Sequence, residues 1–130
     1  MAKILVIDDS TATLDLIRET LTAAGHEVVA AHSGKRAEAI LGSQRLDLVI
    51  TDIYMPDGDG LEVLREARRT RPGLRVIAIS GVTGRYDMLG VVRALGATRT
   101  LRKPFTAARL LEAVNACLSE TPAGEAKHGS

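Results

Sequence analysis

Ile4-Leu5-Val6-Ile7-Asp8-Asp9-Ser10 is the stretch on which the reading of this chain turns. Four aliphatic residues in a row make a strand that is apolar on both faces, the mark of a parallel sheet covered by helices on each side. The run then stops on two carboxylates and a hydroxyl. Runs of the same kind recur at Glu27-Val28-Val29-Ala30-Ala31, at Leu48-Val49-Ile50, at Val76-Ile77-Ala78-Ile79 and, more weakly, from Thr98 to Leu101. Between them lie amphipathic stretches at helical spacing. Leu14, Ile17 and Leu21 share a face that ends at Gly25, and Ala37, Ile40 and Leu41 share one that ends near Gly42. Leu61, Leu64 and Ala67 form a third, stopped by Pro72-Gly73. Met88, Leu89, Val92 and Leu95 lead to Gly96, while Leu110, Leu111, Val114, Cys117 and Leu118 follow Pro104. Strand and helix alternate five times, which predicts an α/β fold of type (βα)5, with right-handed crossovers and a parallel sheet sandwiched between two helical layers.

The chain has 130 residues, 45% hydrophobic and 25% charged, the balance of one ordinary globular domain. That domain is assigned to residues 1–120, and the aperiodic segment 121–130 reads as a C-terminal tail. No separate output module is expected. Seventeen basic and sixteen acidic residues give a formal charge of +1, so no direct DNA binding and no membrane association are expected from bulk electrostatics. Cys117, the lone cysteine, excludes an intramolecular disulfide and reads as a small core residue. The N-terminal segment lacks the apolar stretch of a signal peptide, and a cytoplasmic location is expected. Aromatic residues are scarce: Phe105, Tyr54 and Tyr86, with no Trp. That disfavours base stacking and ring-stacked cofactors.

Ligands of open parallel α/β sheets bind beyond the carboxyl ends of the strands, so the residues closing each run carry the functional information. The first run is followed by Asp8-Asp9-Ser10, the third by Asp52, the fourth by Ser80-Gly81 and the fifth by Arg102-Lys103-Pro104. Three carboxylates brought together repel one another unless a cation sits among them. Donors that are all oxygen suit a hard ion: Mg²⁺, with Mn²⁺ as the alternative. A carboxylate is also a competent nucleophile toward phosphorus, and the Ser80 hydroxyl and Lys103 ammonium are suited to neutralising phosphoryl oxygens.

Asp8-Asp9, Asp52 with Met55-Pro56 and Gly60, Ser80-Gly81, and Lys103-Pro104-Phe105 together resemble the receiver domain of two-component response regulators, of the stand-alone, chemotaxis-regulator-like kind. The resemblance spans roughly residues 3 to 119, and the joint set is far more specific than any one motif. It implies a flavodoxin-like three-layer sandwich with strand order 2-1-3-4-5, for which a stand-alone receiver is a standard example. It makes Asp52 the phosphoacceptor, with Asp9 binding Mg²⁺ directly, Asp8 through water, and the Tyr54 backbone carbonyl adding an oxygen. Ser80 is then the switch hydroxyl that bonds a phosphoryl oxygen, Lys103 pairs first with Asp52 and then with the phosphoryl group, and the bond before Pro104 is cis. The implied donor is a phosphohistidine on a sensor histidine kinase or phosphotransfer protein, and the output is altered contact with a downstream protein. The chain performs the transfer on itself once per activation and is not a turnover enzyme. A monomer or a phosphorylation-dependent dimer fits this role. A phosphorelay shuttle, a phosphate sink or a phosphorylation-independent interaction module are the alternatives.

The chain departs from the family at Thr100, three positions before the lysine, where most receivers carry an aromatic switch residue. Signalling is therefore expected to run through the segment Ser80 to Arg85 and the fourth helix. Tyr54 and Val82 occupy the positions that modulate acyl phosphate hydrolysis in the family, and neither brings a carboxylate or amide to orient an attacking water, so a long-lived phosphoryl group is expected.

Each residue alone has a plainer reading. Asp8-Asp9-Ser10 suits a helix cap, and the arginines from Arg65 to Arg75 suit a helix carboxyl end. Asp57-Gly58-Asp59-Gly60 lacks the glutamate of a calcium loop, since Arg68 stands at its twelfth position, and reads as a turn and helix start. His26, His32 and His128 have no metal-ligand spacing. A flavin carrier is disfavoured by the acidic pair and the aromatic poverty. A haloacid-dehalogenase-like phosphatase needs a second Asp two positions after the nucleophile, where this chain has Tyr54.

Overall fold

The computed structural model describes residues 1–53, 60–81 and 89–119. Tyr54, Met55-Pro56, Asp57-Gly58-Asp59, the stretch containing Val82, Arg85 and Met88, and the tail 121–130 lie outside the described residues. Five strands, β1 (Lys3–Ile7), β2 (Glu27–Ala31), β3 (Leu48–Asp52), β4 (Arg75–Ser80) and β5 (Arg99–Arg102), alternate with five helices. The helices are α1 (Thr11–Ala23), α2 (Gly34–Ser43), α3 (Gly60–Thr70), α4 (Leu89–Ala94) and α5 (Ala107–Ser119). All strand pairs are parallel, in the order β2-β1-β3-β4-β5, so the flavodoxin-like topology holds.

The aliphatic runs feed two cores because successive strand side chains point to opposite faces. Ile4, Val6, Leu48, Ile50, Ile77 and Ile79 pack with Leu14, Ile17 and Leu21 of α1 and with Leu110, Val114 and Cys117 of α5. Leu5, Ile7, Val49, Val76 and Ala78 face Ala37, Ile40 and Leu41 of α2, Val63, Leu64 and Ala67 of α3, and Val92 of α4. Each fully buried Leu or Ile removes enough apolar surface to stabilise the fold by about 1.5–3 kcal/mol relative to an exposed one.

The structure differs from the sequence reading at the ends of two strands and on one helix face. The third and fourth strands run on through Asp52 and Ser80, so these residues close their strands rather than follow them. The second helix ends at Ser43, next to Gly42 as expected, with Gln44 as its C-cap. The predicted contact residue Leu61 is only partly buried, and Val63 takes the buried position on α3. Gly25 and Gly96 do end their helices, with φ of +95° and +107°, a backbone conformation costly for any side-chain-bearing residue. Among the described residues no helix is long and apolar enough to cross a membrane.

Candidate functional site

The sheet ladder continues past the strand ends and fixes the site's backbone. The Asp8 amide donates to the Ala31 carbonyl at 3.2 Å, Ile53 to Ile79 at 3.0 Å, and Lys103 to Ser80 at 2.8 Å. Asp8, Asp9, Asp52, Ser80 and Lys103 thus come to one edge from four parallel strands.

Asp8 is fully buried, and both its oxygens are engaged. Its Oδ1 accepts from the Ser10 amide at 2.8 Å and its Oδ2 from Lys103 Nζ at 2.9 Å. Ser10 in turn caps α1, its Oγ accepting from the Thr13 amide at 3.2 Å. The N-cap of α1 and two carboxylates of the acidic cluster thus fall in the same three residues. Asp9 is exposed and makes no hydrogen bond or ion pair among the described residues. Asp52 is 4% exposed, and its Oδ2 lies 3.3 Å from Lys103 Nζ. Carboxylate oxygens of Asp8, Asp9 and Asp52 all fall within 4.8 Å of one another.

Burial works against the Lys103 ammonium, but the hydrogen bond to Asp8 and the charges of Asp52 and Asp8 outweigh it, so its pKa is raised. Ser80 is buried at the end of β4, its hydroxyl donating to the Gly81 carbonyl at 3.2 Å. The Lys103-Pro104 peptide bond is cis. Thr100 lies half-buried in β5. The Tyr54 carbonyl belongs to the undescribed stretch.

Lys103 brings one positive charge to three carboxylates, which favours a divalent cation on electrostatic grounds. The donors are hard oxygens. Asp9 has its carboxylate uncommitted, whereas both oxygens of Asp8 are already bonded. The residues fit a Mg²⁺-type ion.

Two contacts were not legible in the sequence. Lys103 lies closer to Asp8 than to Asp52, a pairing across 95 positions that no motif signals. Gly60, recognised only as part of a motif, abuts the acidic site's backbone: a Cβ there would stand 2.0 Å from the Asp52 carbonyl oxygen and 2.6 Å from Ile53 Cα. Only glycine allows that approach.

Four of the arginines between Arg65 and Arg75, and His26, serve the scaffold. Arg65 pairs with Glu62 and Arg69 with Glu66 along α3. Arg68 donates to the carbonyls of Gly96 at 2.8 Å and Pro72 at 2.6 Å, and burial lowers its pKa. Arg71 reaches the carbonyls of Leu41 and Gln44. His26 Nδ1 accepts from the Ala2 amide at 3.1 Å.

Fold and site together define a flavodoxin-like α/β domain with an acidic, lysine-braced site at the carboxyl edge of its sheet. Residues 4–115 match the response regulator receiver domain, and the chain belongs to that family. It is 34% identical over 119 residues to the response regulator MprA of Mycobacterium avium (strain 104), covering 92% of this chain and 52% of that protein. The chain thus spans about half the length of the curated relatives it matches. The receiver domain of NtrX from Brucella abortus superposes with a TM-score of 0.85 at 32% identity, covering 91% of this chain and 99% of that one. The chemotaxis response regulator CheY4 of Vibrio cholerae does so with a TM-score of 0.82 at 31% identity, covering the same shares.

Proposed function

We propose that this chain is a phosphoacceptor: it takes a phosphoryl group from a phosphohistidine onto Asp52 and changes its contacts with a downstream protein. The observation that carries the reading is the shared engagement of Lys103 Nζ by Asp8 at 2.9 Å and Asp52 at 3.3 Å, inside a cluster of three carboxylates. A structural ion pair needs one carboxylate, whereas phosphoryl transfer needs a nucleophile, a cation site and a mobile positive charge.

In the step itself an Asp52 carboxylate oxygen attacks phosphorus and a P–O bond forms. The P–N bond to the donor imidazole breaks, its electron pair stays on nitrogen, and that nitrogen takes up a proton from solvent. Lys103 then moves from the carboxylate to the phosphoryl oxygens, and the Ser80 hydroxyl donates to one of them; the 3.3 Å approach of Lys103 to Asp52 supports that role. Asp9 is assigned as the direct ligand of Mg²⁺ (or Mn²⁺), alongside Asp52 and the Tyr54 carbonyl, with Asp8 acting through water; the committed oxygens of Asp8 support that division. When bound, the ion supplies charge neutralisation for the developing phosphoryl oxygens.

The donor is a sensor histidine kinase or a histidine phosphotransfer protein in the cytoplasm. One bond forms per activation, so the chain is not a turnover enzyme. The receiver unit is residues 1–120. Incubation with a small phosphodonor and Mg²⁺ is expected to add the mass of one phosphoryl group to the protein and none to Asp52→Asn. Equal gain in both, or in neither, contradicts the proposal.

A further inference from the structure

The sheet ends on two outer strands, β2 and β5, and their edges are built differently. The β5 edge carries Arg99 and Arg102, charges of the kind that keep an edge strand from pairing with another chain. The β2 edge, Glu27-Val28-Val29-Ala30-Ala31, has no proline, lysine or arginine, and its one charge stands at its start. Val28, Val29 and Ala30 are only partly buried, and among the described residues no strand pairs with the outer side of β2. The Glu27 amide donates to the Ala2 carbonyl at 2.9 Å, and the Ala31 carbonyl accepts from the Asp8 amide at 3.2 Å. Glu27, Val29 and Ala31 thus turn their backbone polar groups inward to β1. Alternation along the strand turns the N–H and C=O of Val28 and Ala30 outward.

A five-residue strand is short, which by itself limits edge pairing, but the charges around this edge suit its own copy. Lys35 and Arg36 are exposed in the first turn of α2, where the helix dipole disfavours cations and no acidic residue offsets them. Neither forms an ion pair among the described residues. The Glu27 side chain is 60% exposed, and its contact with Lys3 is long, at 3.9 Å. Alternation puts Glu27 on the same face of the sheet as Val29 and Ala31, the face that α2 covers.

We infer that β2 pairs with β2 of a second copy of this chain, antiparallel about a two-fold axis at Val29, so that the two sheets become continuous. In that register Val28 lies opposite Ala30 of the second copy and Ala30 opposite its Val28, and every outward N–H and C=O of both residues is paired. Val29 meets its own copy as an apolar cross-strand pair. Glu27 lies beside Ala31 of the second copy and reaches the start of its α2, where Lys35 and Arg36 supply the opposite charge. The two-fold axis repeats each contact, so the assembly closes as a dimer. A single pair of short strands makes a small interface and hence a weak dimer. The pairing is independent of the chemistry at Asp52.

Sedimentation equilibrium of the full chain, carried up to millimolar concentration, is expected to show the mass rising from one chain toward two. Ala30→Pro removes an outward N–H and no bond to β1, and is expected to lose about tenfold or more in dimer affinity. Glu27→Lys alone and Lys35→Glu/Arg36→Glu alone are each expected to weaken the dimer. Mixed in equal amounts the two are expected to recover it as a heterodimer, a gain that misfolding cannot produce. Asp52→Asn is expected to dimerise as the wild type does, which separates this inference from the phosphoacceptor reading. The inference is overturned by a chain that stays monomeric throughout, by a folded Ala30→Pro protein of unchanged affinity, or by a mixture that shows no recovery. A monomer that instead binds a fluorescein-labelled peptide of alternating Val and Thr assigns the edge to another protein's strand and overturns it as well.

Discussion

Lys103 donates to Asp8 at 2.9 Å, closer than its 3.3 Å approach to Asp52. The lysine thus braces a fully buried carboxylate that the Ser10 amide holds from the other side. Its reach to Asp52 is the longer of the two contacts, which suits the proposed movement of the ammonium from carboxylate to phosphoryl oxygen.

Removing this cation leaves Asp8 buried beside two like charges. Lys103→Met is expected to lose about 2 to 3 kcal/mol in metal-free protein, read by urea unfolding, and to recover part of it in Mg²⁺. The pH dependence has a definite sign. The folded pKa of Lys103 is raised, so its stabilisation is fully present below the ordinary lysine value of 10.5 and is lost as pH rises through the higher folded value. The gap between wild type and variant should therefore hold from neutrality to about pH 10 and close above that. A gap that closes below neutrality contradicts the assignment.

Divalent cation should stabilise the fold through Asp9. At a hundredfold excess over its Kd, a ligand specific to the native state adds about 2.7 kcal/mol. Thermal melts with and without Mg²⁺ should show a rise in Tm for the wild type, and little or none for Asp9→Ala. Because Asp9 is exposed, makes no bond among the described residues and lies beside two like charges, metal-free Asp9→Ala should melt no lower than the wild type.

Gly60→Ala puts a methyl against the Asp52 carbonyl and Ile53 Cα, and backbone must move to admit it. A cost of about 1–3 kcal/mol in stability is expected, together with slower phosphorylation, since the displaced carbonyl belongs to Asp52, the proposed acceptor. Wild-type phosphorylation kinetics in a folded Gly60→Ala protein would remove this residue from the account.

Arg68 ties the end of α3 to the turn before β5 through the Gly96 carbonyl, with its stem packed against that glycine. Arg68→Met keeps much of the packing and loses both carbonyl bonds. A loss of about 1.5–3 kcal/mol is expected from chemical denaturation, the usual range for charged hydrogen bonds.

Tyr54 and Val82 supply neither carboxylate nor amide to orient a water. The acyl phosphate should accordingly persist for minutes or longer after the donor is removed. Decay within seconds, followed by intact mass, contradicts this.

Most of the fold was legible because continuous aliphatic runs and Gly or Pro stops are local signals. Leu14, Ile17 and Leu21, or Leu110, Val114 and Cys117, declare their helical faces from spacing alone, and all are buried. That Asp8, Asp9, Asp52, Ser80 and Lys103 meet at one edge of the sheet was legible too, since each ends a strand or follows one. The site's internal wiring was not. The preference of Lys103 for Asp8, the contact of Gly60 with the Asp52 carbonyl and the reach of Arg68 to Gly96 depend on side-chain paths and close approaches that spacing does not encode. Asp52 and Ser80 read as residues beyond their strands because a polar residue ends an apolar run, yet the backbone ladder carries on through both.

The central claim is that Asp52 is the acceptor, and locating the phosphoryl group tests it most directly. Borohydride reduces an aspartyl phosphate to homoserine, so the protein should be treated with phosphodonor and Mg²⁺, reduced, digested and sequenced by mass spectrometry. Homoserine at position 52 alone is the predicted result. Homoserine at Asp8 or Asp9, or none in a protein that has gained phosphoryl mass, would contradict it.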